Sequence, residues 1–179
     1  MVVKNTFILT TFKGGENTAG SEVYMLLTEF GDSKAKISRT EVSGILLVET
    51  VLSHQEVIDT LNKIIEDEPW RVRSMLRIFP AERIIETDIE EIVGAIEPML
   101  EKIGEDETFR VTIEKRRSDL SRHEIIEKVA SKVTRKVNLE NPNWVVLIEV
   151  IGNKTGVSVI KPSQIISVAK AKRGNNQKN

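Results

Sequence analysis

Residues 5–13, NTFILTTFK, with a short apolar run bounded by polar residues, read as a first strand. Gly14-Gly15 interrupts it, and Val23, Leu26, Leu27 and Phe30 then recur at helical spacing over 17–30. Gly31-Asp32 ends that helix. Residues 34–40 and 44–50 read as two strands, the second apolar enough to be central. Ser53 and Glu56 have the spacing of a capping box and open a helix that turns Val57, Ile58, Leu61, Ile64 and Ile65 to one side, with Pro69 beyond its end. Residues 71–79 alternate again and stop at Pro80. The predicted order β-α-β-β-α-β is that of a ferredoxin-like domain over residues 1–80.

A second pattern starts at Thr87 and Glu90, another capping-box pair. Ile89, Ile92, Val93, Ile96, Met99, Leu100 and Ile103 form a helical stripe, which Pro98 should kink or split near Gly94. A strand follows from Phe109 to Ile113, then Lys115-Arg116-Arg117 on the connection to a helix expected over 121–136. Ser121 and Glu124 cap that helix. Asn141-Pro142-Asn143 marks a turn, 144–151 a buried strand, 153–156 a hairpin loop and 157–161 the returning strand. A short element over 163–170 completes a second domain at 81–170, and 171–179 reads as a basic, disordered tail. The fold class is α/β (α+β).

Charge sharpens this outline. The chain of 179 residues has a formal net charge of only −1. Residues 81–107 carry net −8, whereas 108–160 carry net +4 and 161–179 net +5. A basic surface therefore follows an acidic helix. The absence of cysteine excludes disulfides, thiolate catalysis and cysteine-ligated metals. No apolar run suits a signal peptide or a membrane span, so a soluble, cytoplasmic protein is expected.

The cluster Lys115-Arg116-Arg117 is the main candidate for binding. Lys128, Lys132 and Arg135 would share one side of the following helix, and Lys161, Lys170, Lys172 and Arg173 would extend the patch. Such a surface suits nucleic-acid phosphates, and a solvated basic face is the competing reading. Arg71, Arg73 and Arg77 would line one side of a strand, as a second phosphate surface or as partners of the acidic helix. The strands at 34–40 and 44–50 contain no aromatic residue, which argues against base stacking there. Gly14-Gly15 lacks the rest of a phosphate-loop signature. Asp119, Ser121 and His123 lie within one turn, whereas hydrolytic triads assemble across separate elements. Glu90, Glu97 and Glu101 share a helix side, better read as solvated than as a metal site. No catalytic site, cofactor or metal is expected.

FRVTIEKRRSD, VNLENPNWVVLIEVI and VSVIKP together resemble a THUMP domain. The family's basic pair falls on Lys115, Arg116 and Arg117, and its turn on Val137, Asn138, Leu139, Pro142 and Asn143, with asparagines where aspartates are usual. FILTTFKGGE, TEVSGILLVET and RIFPAERIIET resemble archaeal THUMP proteins related to the eukaryotic tRNA acetylation adaptor. The resemblance implies a non-enzymatic tRNA-binding adaptor that acts near the acceptor and 3′ CCA end. It would present a cytidine to a separate tRNA acetyltransferase for N-acetylcytidine formation. The implied RNA contacts are Lys115, Arg116, Arg117, Lys132, Arg135 and Lys161. A subunit for another tRNA modification, thiolation or methylation, is the alternative.

Overall fold

A computed structural model describes residues 2–177. They form two compact units, one of residues 2–80 with 163–177 and one of residues 81–162.

The first unit begins with β1 (Asn5–Thr11), α1 (Glu16–Glu29), β2 (Lys36–Arg39), β3 (Ile45–Thr50), α2 (His54–Asp67) and β4 (Met75–Ala81). Its strands lie in the order β4-β1-β3-β2, the ferredoxin-like arrangement expected. Phe7 pairs with Val48 across β1 and β3, and Ile37 with the same Val48 across β2 and β3. Phe7, Leu9, Leu46 and Val48 pack with Val23, Leu27, Ile58, Leu61 and Ile65 from the helices in one core. The capping box at α2 forms in full: Ser53 accepts from the Glu56 N–H, and the Glu56 carboxylate accepts from the Ser53 N–H.

Gly44, before β3, has φ +83°, and a Cβ there would stand 2.8 Å from the Thr11 carbonyl oxygen. Both strain and contact fall on backbone, which cannot swing aside. Gly44→Ala should cost about 1–3 kcal/mol, read as a lower urea midpoint at unchanged slope.

The segment expected as a strand over 71–79 differs. Pro69–Arg71 is a 3₁₀ turn, and β4 starts only at Met75. The Glu22 carboxylate on α1 accepts from the N–H groups of Arg73, Ser74 and Met75, which holds this stretch in a bend. Arg71 pairs with Glu29 and Glu68, Arg73 donates to the Trp70 carbonyl at 2.8 Å, and Arg77 lies over the Phe79 ring. The three arginines therefore share no strand face.

The second unit contains β5 (Arg83–Glu86), α3 (Ile89–Ile96), β6 (Thr108–Arg116), α4 (Arg122–Ala130), β7 (Lys136–Val137), β8 (Trp144–Ile151) and β9 (Lys154–Ile160). The sheet order is β5-β9-β8-β6-β7. β6 runs parallel to both its neighbours, and β9 is antiparallel to β8 and β5. Phe109, Ile113, Val146, Ile148 and Val157 pack against Ile92 and Ile96 of α3 and Ile125 and Val129 of α4.

Pro98 does split the predicted stripe: α3 stops at Ile96 and a 3₁₀ segment runs from Glu97 to Lys102. The cap of α3 is Asp88 rather than Thr87. Its carboxylate accepts from the N–H groups of Glu90 and Glu91, while the Thr87 hydroxyl is taken by Thr155. α4 ends at Ala130, six residues before the predicted end at 136. Val133 and Thr134 are β-branched and weak helix formers, and the chain beyond them joins β6 as β7.

The C-terminal stretch departs most from the expected domain limits. Ile166–Ser167 form β10, which pairs antiparallel with β4, so the sheet order of the first unit is β10-β4-β1-β3-β2. Val168–Asn176 form α5, although 171–179 reads as a disordered tail from its composition. Ile166 and Val168 are buried in the first core, and Ala171 packs on it at i+3 from Val168. Lys172 donates to the Val72 carbonyl and Asn175 to that of Ile65. Residues 178 and 179 lie outside the described residues. Among the described residues no helix is long and apolar enough to cross a membrane.

Candidate nucleic-acid interface

β6 carries the basic cluster, and it is longer than its apolar alternation indicates. Glu114, Lys115 and Arg116 continue the strand, with Lys115 in register with Val150 and Arg116 with Ile151 of β8. The cations therefore begin on a strand that is paired with β8 as far as its last residue. Arg117 follows at φ 53°, a left-handed conformation uncommon for a residue with a Cβ. It turns the chain out of the sheet, and its side chain is exposed. Ser118 Oγ accepts from the Leu120 N–H at 3.2 Å, and Ser121 Oγ from the Glu124 N–H at 3.2 Å, which starts α4.

The three cations have different surroundings. Lys115 Nζ donates to the Leu120 carbonyl at 2.8 Å, so it ties the connection back onto the strand. Arg116 donates to the Glu149 carboxylate on β8 at 3.1 Å, and Glu149 is fully buried. Arg117 is the most outward of the three.

Lys132, Arg135 and Lys161 lie at the other end of β6. Thr108 is in register with Lys136, next to Arg135, and Arg135 Nε donates to the Ile103 carbonyl at 3.2 Å. With Leu100, Glu101, Lys132, Val133 and Thr134, Arg135 lines a groove of about 180 Å³. Lys132 stands 3.8 Å from Glu97. Nine residues of strand at about 3.3 Å each put roughly 26 Å between the two ends. The six residues thus form two groups rather than one edge. Neither Lys132 nor Arg135 is on a helix with Lys128, because α4 has already ended.

Lys161 belongs to an arrangement that sequence reasoning missed. Its Nζ sits 4.0 Å from the centre of the Trp144 ring and 3.2 Å from the Glu107 carboxylate. Trp144 Nε1 donates to that same carboxylate at 3.0 Å. The indole N–H, the Gly104 N–H and the Lys161 ammonium together hold the Glu107 carboxyl below the usual carboxylate range. The one signal for this in the sequence is a tryptophan at the mouth of an apolar strand, which needs a partner for its N–H.

The regional charge is also partly cancelled. Lys128 pairs with Glu90 and Glu124, Lys102 with Glu82 and Lys154 with Glu86. Glu90, foremost, holds the Lys128 ammonium above its usual range. Glu90 and Glu97 thus face lysines, and among the described residues no cluster of three or more metal-ligating side chains occurs. His123 pairs with Glu127 at 3.1 Å, and Ser121 serves as a helix cap, so the residue types of a triad do not converge.

The turn after β7 is built by asparagine side chains. Asn138 Oδ1 accepts from the N–H groups of Glu140 and Asn141, and Asn143 Oδ1 from the N–H and hydroxyl of Thr108. A neutral amide oxygen does this as an acceptor, so the turn forms without the carboxylates more usual there.

Comparison with known proteins places this geometry. The chain is 30% identical over 172 residues to an uncharacterized protein of Methanocaldococcus jannaschii, MJ0421, covering 93% of this chain and 44% of that protein. It therefore spans less than half the length of that relative. The structure is similar to that of PH1313 from Pyrococcus horikoshii, with a TM-score of 0.62, 22% identity, and coverage of 88% of this chain and 55% of that one. It is also similar to a 4-thiouridine synthetase solved in complex with RNA and bound ATP. There the TM-score is 0.51 and the identity 15%, over 89% of this chain and 42% of the synthetase. Both structural likenesses establish a shared fold. The family description of the THUMP domain matches residues 86–160, a span that runs from the end of β5 through β9. The second unit of this chain is a THUMP domain.

Proposed function

We propose that this chain is a tRNA-binding adaptor. It holds tRNA near the acceptor and the 3′ CCA end and presents a cytidine to a separate acetyltransferase that makes N-acetylcytidine. The chain does no chemistry itself. The observation that carries the RNA-binding part is Arg117, exposed on a left-handed turn at the end of β6, inside a THUMP domain. Phosphate contacts from such a cation fix orientation without reading sequence. The likeness to a synthetase solved with RNA supports the reading.

Arg117→Ala is the first test, because Arg117 is the exposed member of the three. Arg116→Ala would remove a partner of the buried Glu149 carboxylate, and Lys115→Ala would loosen the connection itself. Loss of one phosphate contact should weaken tRNA binding uniformly across tRNA sequences and lower the salt slope by about 0.7–0.9. Unchanged affinity with unchanged slope would remove this edge from the interface. Nucleoside analysis of cellular tRNA with and without the protein tests the rest, with loss of acetylcytidine expected.

The likeness to a 4-thiouridine synthetase favours a second reading, an RNA-binding subunit for thiolation or methylation. Loss of a thio- or methyl-nucleoside in the same analysis would select it.

A further inference from the structure

Most lysines of the second unit pair with carboxylates, whereas one end of the first sheet does the opposite. Phe12 and Trp70 are each 60% exposed, in a chain with only eight aromatic residues. Tryptophan is seldom so open to water without a use. Both lie on loops, so the aromatic-free strands expected at 34–40 and 44–50 did not reveal them.

The two loops are joined and stiff. Thr11, at the end of β1, donates through its hydroxyl to the Ser74 carbonyl at 2.6 Å and through its N–H to the Gly44 carbonyl at 2.8 Å. Gly15 N–H closes onto the Phe12 carbonyl at 2.8 Å. Phe12 thus projects from a backbone pinned on both sides. Across the junction, the Arg73 N–H is held by Glu22 at 2.7 Å, and the Arg73 guanidinium folds onto the Trp70 carbonyl at 2.8 Å. Lys172 of α5 donates to the Val72 carbonyl of the same loop at 2.6 Å, and Lys170 and Arg173 lie close to it in the sequence of α5.

Lys13, Arg73, Lys170, Lys172 and Arg173 make no ion pair among the described residues. The Glu22 carboxylate beside this loop is occupied by three backbone N–H groups. Two open aromatic rings on fixed loops, interleaved with uncompensated cations, have the chemistry of a surface for single strands. Rings stack on bases of any identity, and cations follow the phosphates.

We propose that the end of the first sheet carrying Phe12, Lys13, Trp70 and Arg73, with Lys172 and Arg173 of α5, binds a single-stranded segment of RNA. This deepens the RNA-binding role proposed above, and it adds a second contact area on the other unit.

The test uses the full chain with two probes, a short mixed-sequence single-stranded oligoribonucleotide and unmodified tRNA. The oligoribonucleotide should quench tryptophan emission in the wild type and not in Trp70→Phe. Trp70→Ala and Phe12→Ala should each weaken its binding by roughly 5- to 150-fold, with far-ultraviolet dichroism and thermal midpoint unchanged. Lys13→Ala with Arg73→Ala should lower the salt slope. Equal binding by wild type and aromatic variants overturns the site. No oligoribonucleotide binding, while tRNA binds in an Arg117-dependent way, also overturns it and leaves the adaptor's THUMP edge standing. Trp70-dependent oligoribonucleotide binding, while Arg117→Ala leaves tRNA affinity and slope unchanged, upholds this site and removes that edge.

Discussion

Phe109→Ala is expected to destabilise the THUMP domain by about 3–5 kcal/mol. Phe109 is 2% exposed and belongs to the core that joins α3 and α4 to the sheet. It sits where β6 is paired on both sides at once, opposite Val137 of β7 and Trp144 of β8. The cavity cannot close easily, because strands on both flanks hold the backbone in place. Urea unfolding followed by the emission of Trp144 would measure the loss. The effect should reach function indirectly. Arg117 is aimed by the far end of the same strand, so tRNA binding should fall only as far as the folded fraction falls. A larger fall at temperatures where the variant is folded would mean that β6 had shifted its register.

Asp32→Ala should cost the first unit about 3 kcal/mol at neutral pH. The Asp32 carboxylate is 4% exposed and accepts from the Thr50 hydroxyl at 2.6 Å and from the N–H groups of Val51 and Lys34 at 3.0 Å each. It fastens the exit of α1 to the end of β3. Burial works against its charge, but the hydrogen bonds from Thr50, Val51 and Lys34 outweigh that and hold its pKa below the usual aspartate value. The sign follows: with the folded pKa below the unfolded one, the charged form's stabilisation is complete above the unfolded value near 3.8. It is lost as the pH drops through the folded value. The difference between wild type and variant, measured by urea midpoints, should therefore be constant from pH 7 down to about 5 and narrow below the ordinary aspartate range. A difference that grew on acidification would contradict this role.

What the sequence disclosed, and what it hid, divides along the range of the forces involved. The capping box at Ser53 and the apolar run of β8 are local, and both stand as read. Phe109, Val111 and Ile113 announced β6, but its last turn of pairing is with Val150 and Ile151 of another strand, which polar Glu114, Lys115 and Arg116 do not advertise. The two-residue strands β7 and β10 exist only because a distant edge accepts them. A stretch as polar as 171–176 became helix through two contacts on one face of α5, the buried Val168 and the partly buried Ala171. The candidate site follows the same rule. That three cations follow β6 was legible. That Lys115 turns inward to Leu120, and that Glu97 and Glu107 meet Lys132 and Lys161, depends on folding.

The return of residues 163–176 to the first sheet has a consequence for biosynthesis. The edge beside β4 is supplied by residues that are made only after the whole THUMP domain. While the chain emerges, β4 presents open backbone donors and acceptors, and the apolar sites later filled by Ile166 and Val168 are wet. The THUMP domain, continuous in sequence, can finish before the first unit does. Ribosome-bound chains ending before residue 163 should accordingly protect the THUMP amides from hydrogen exchange while those of β4 still exchange freely.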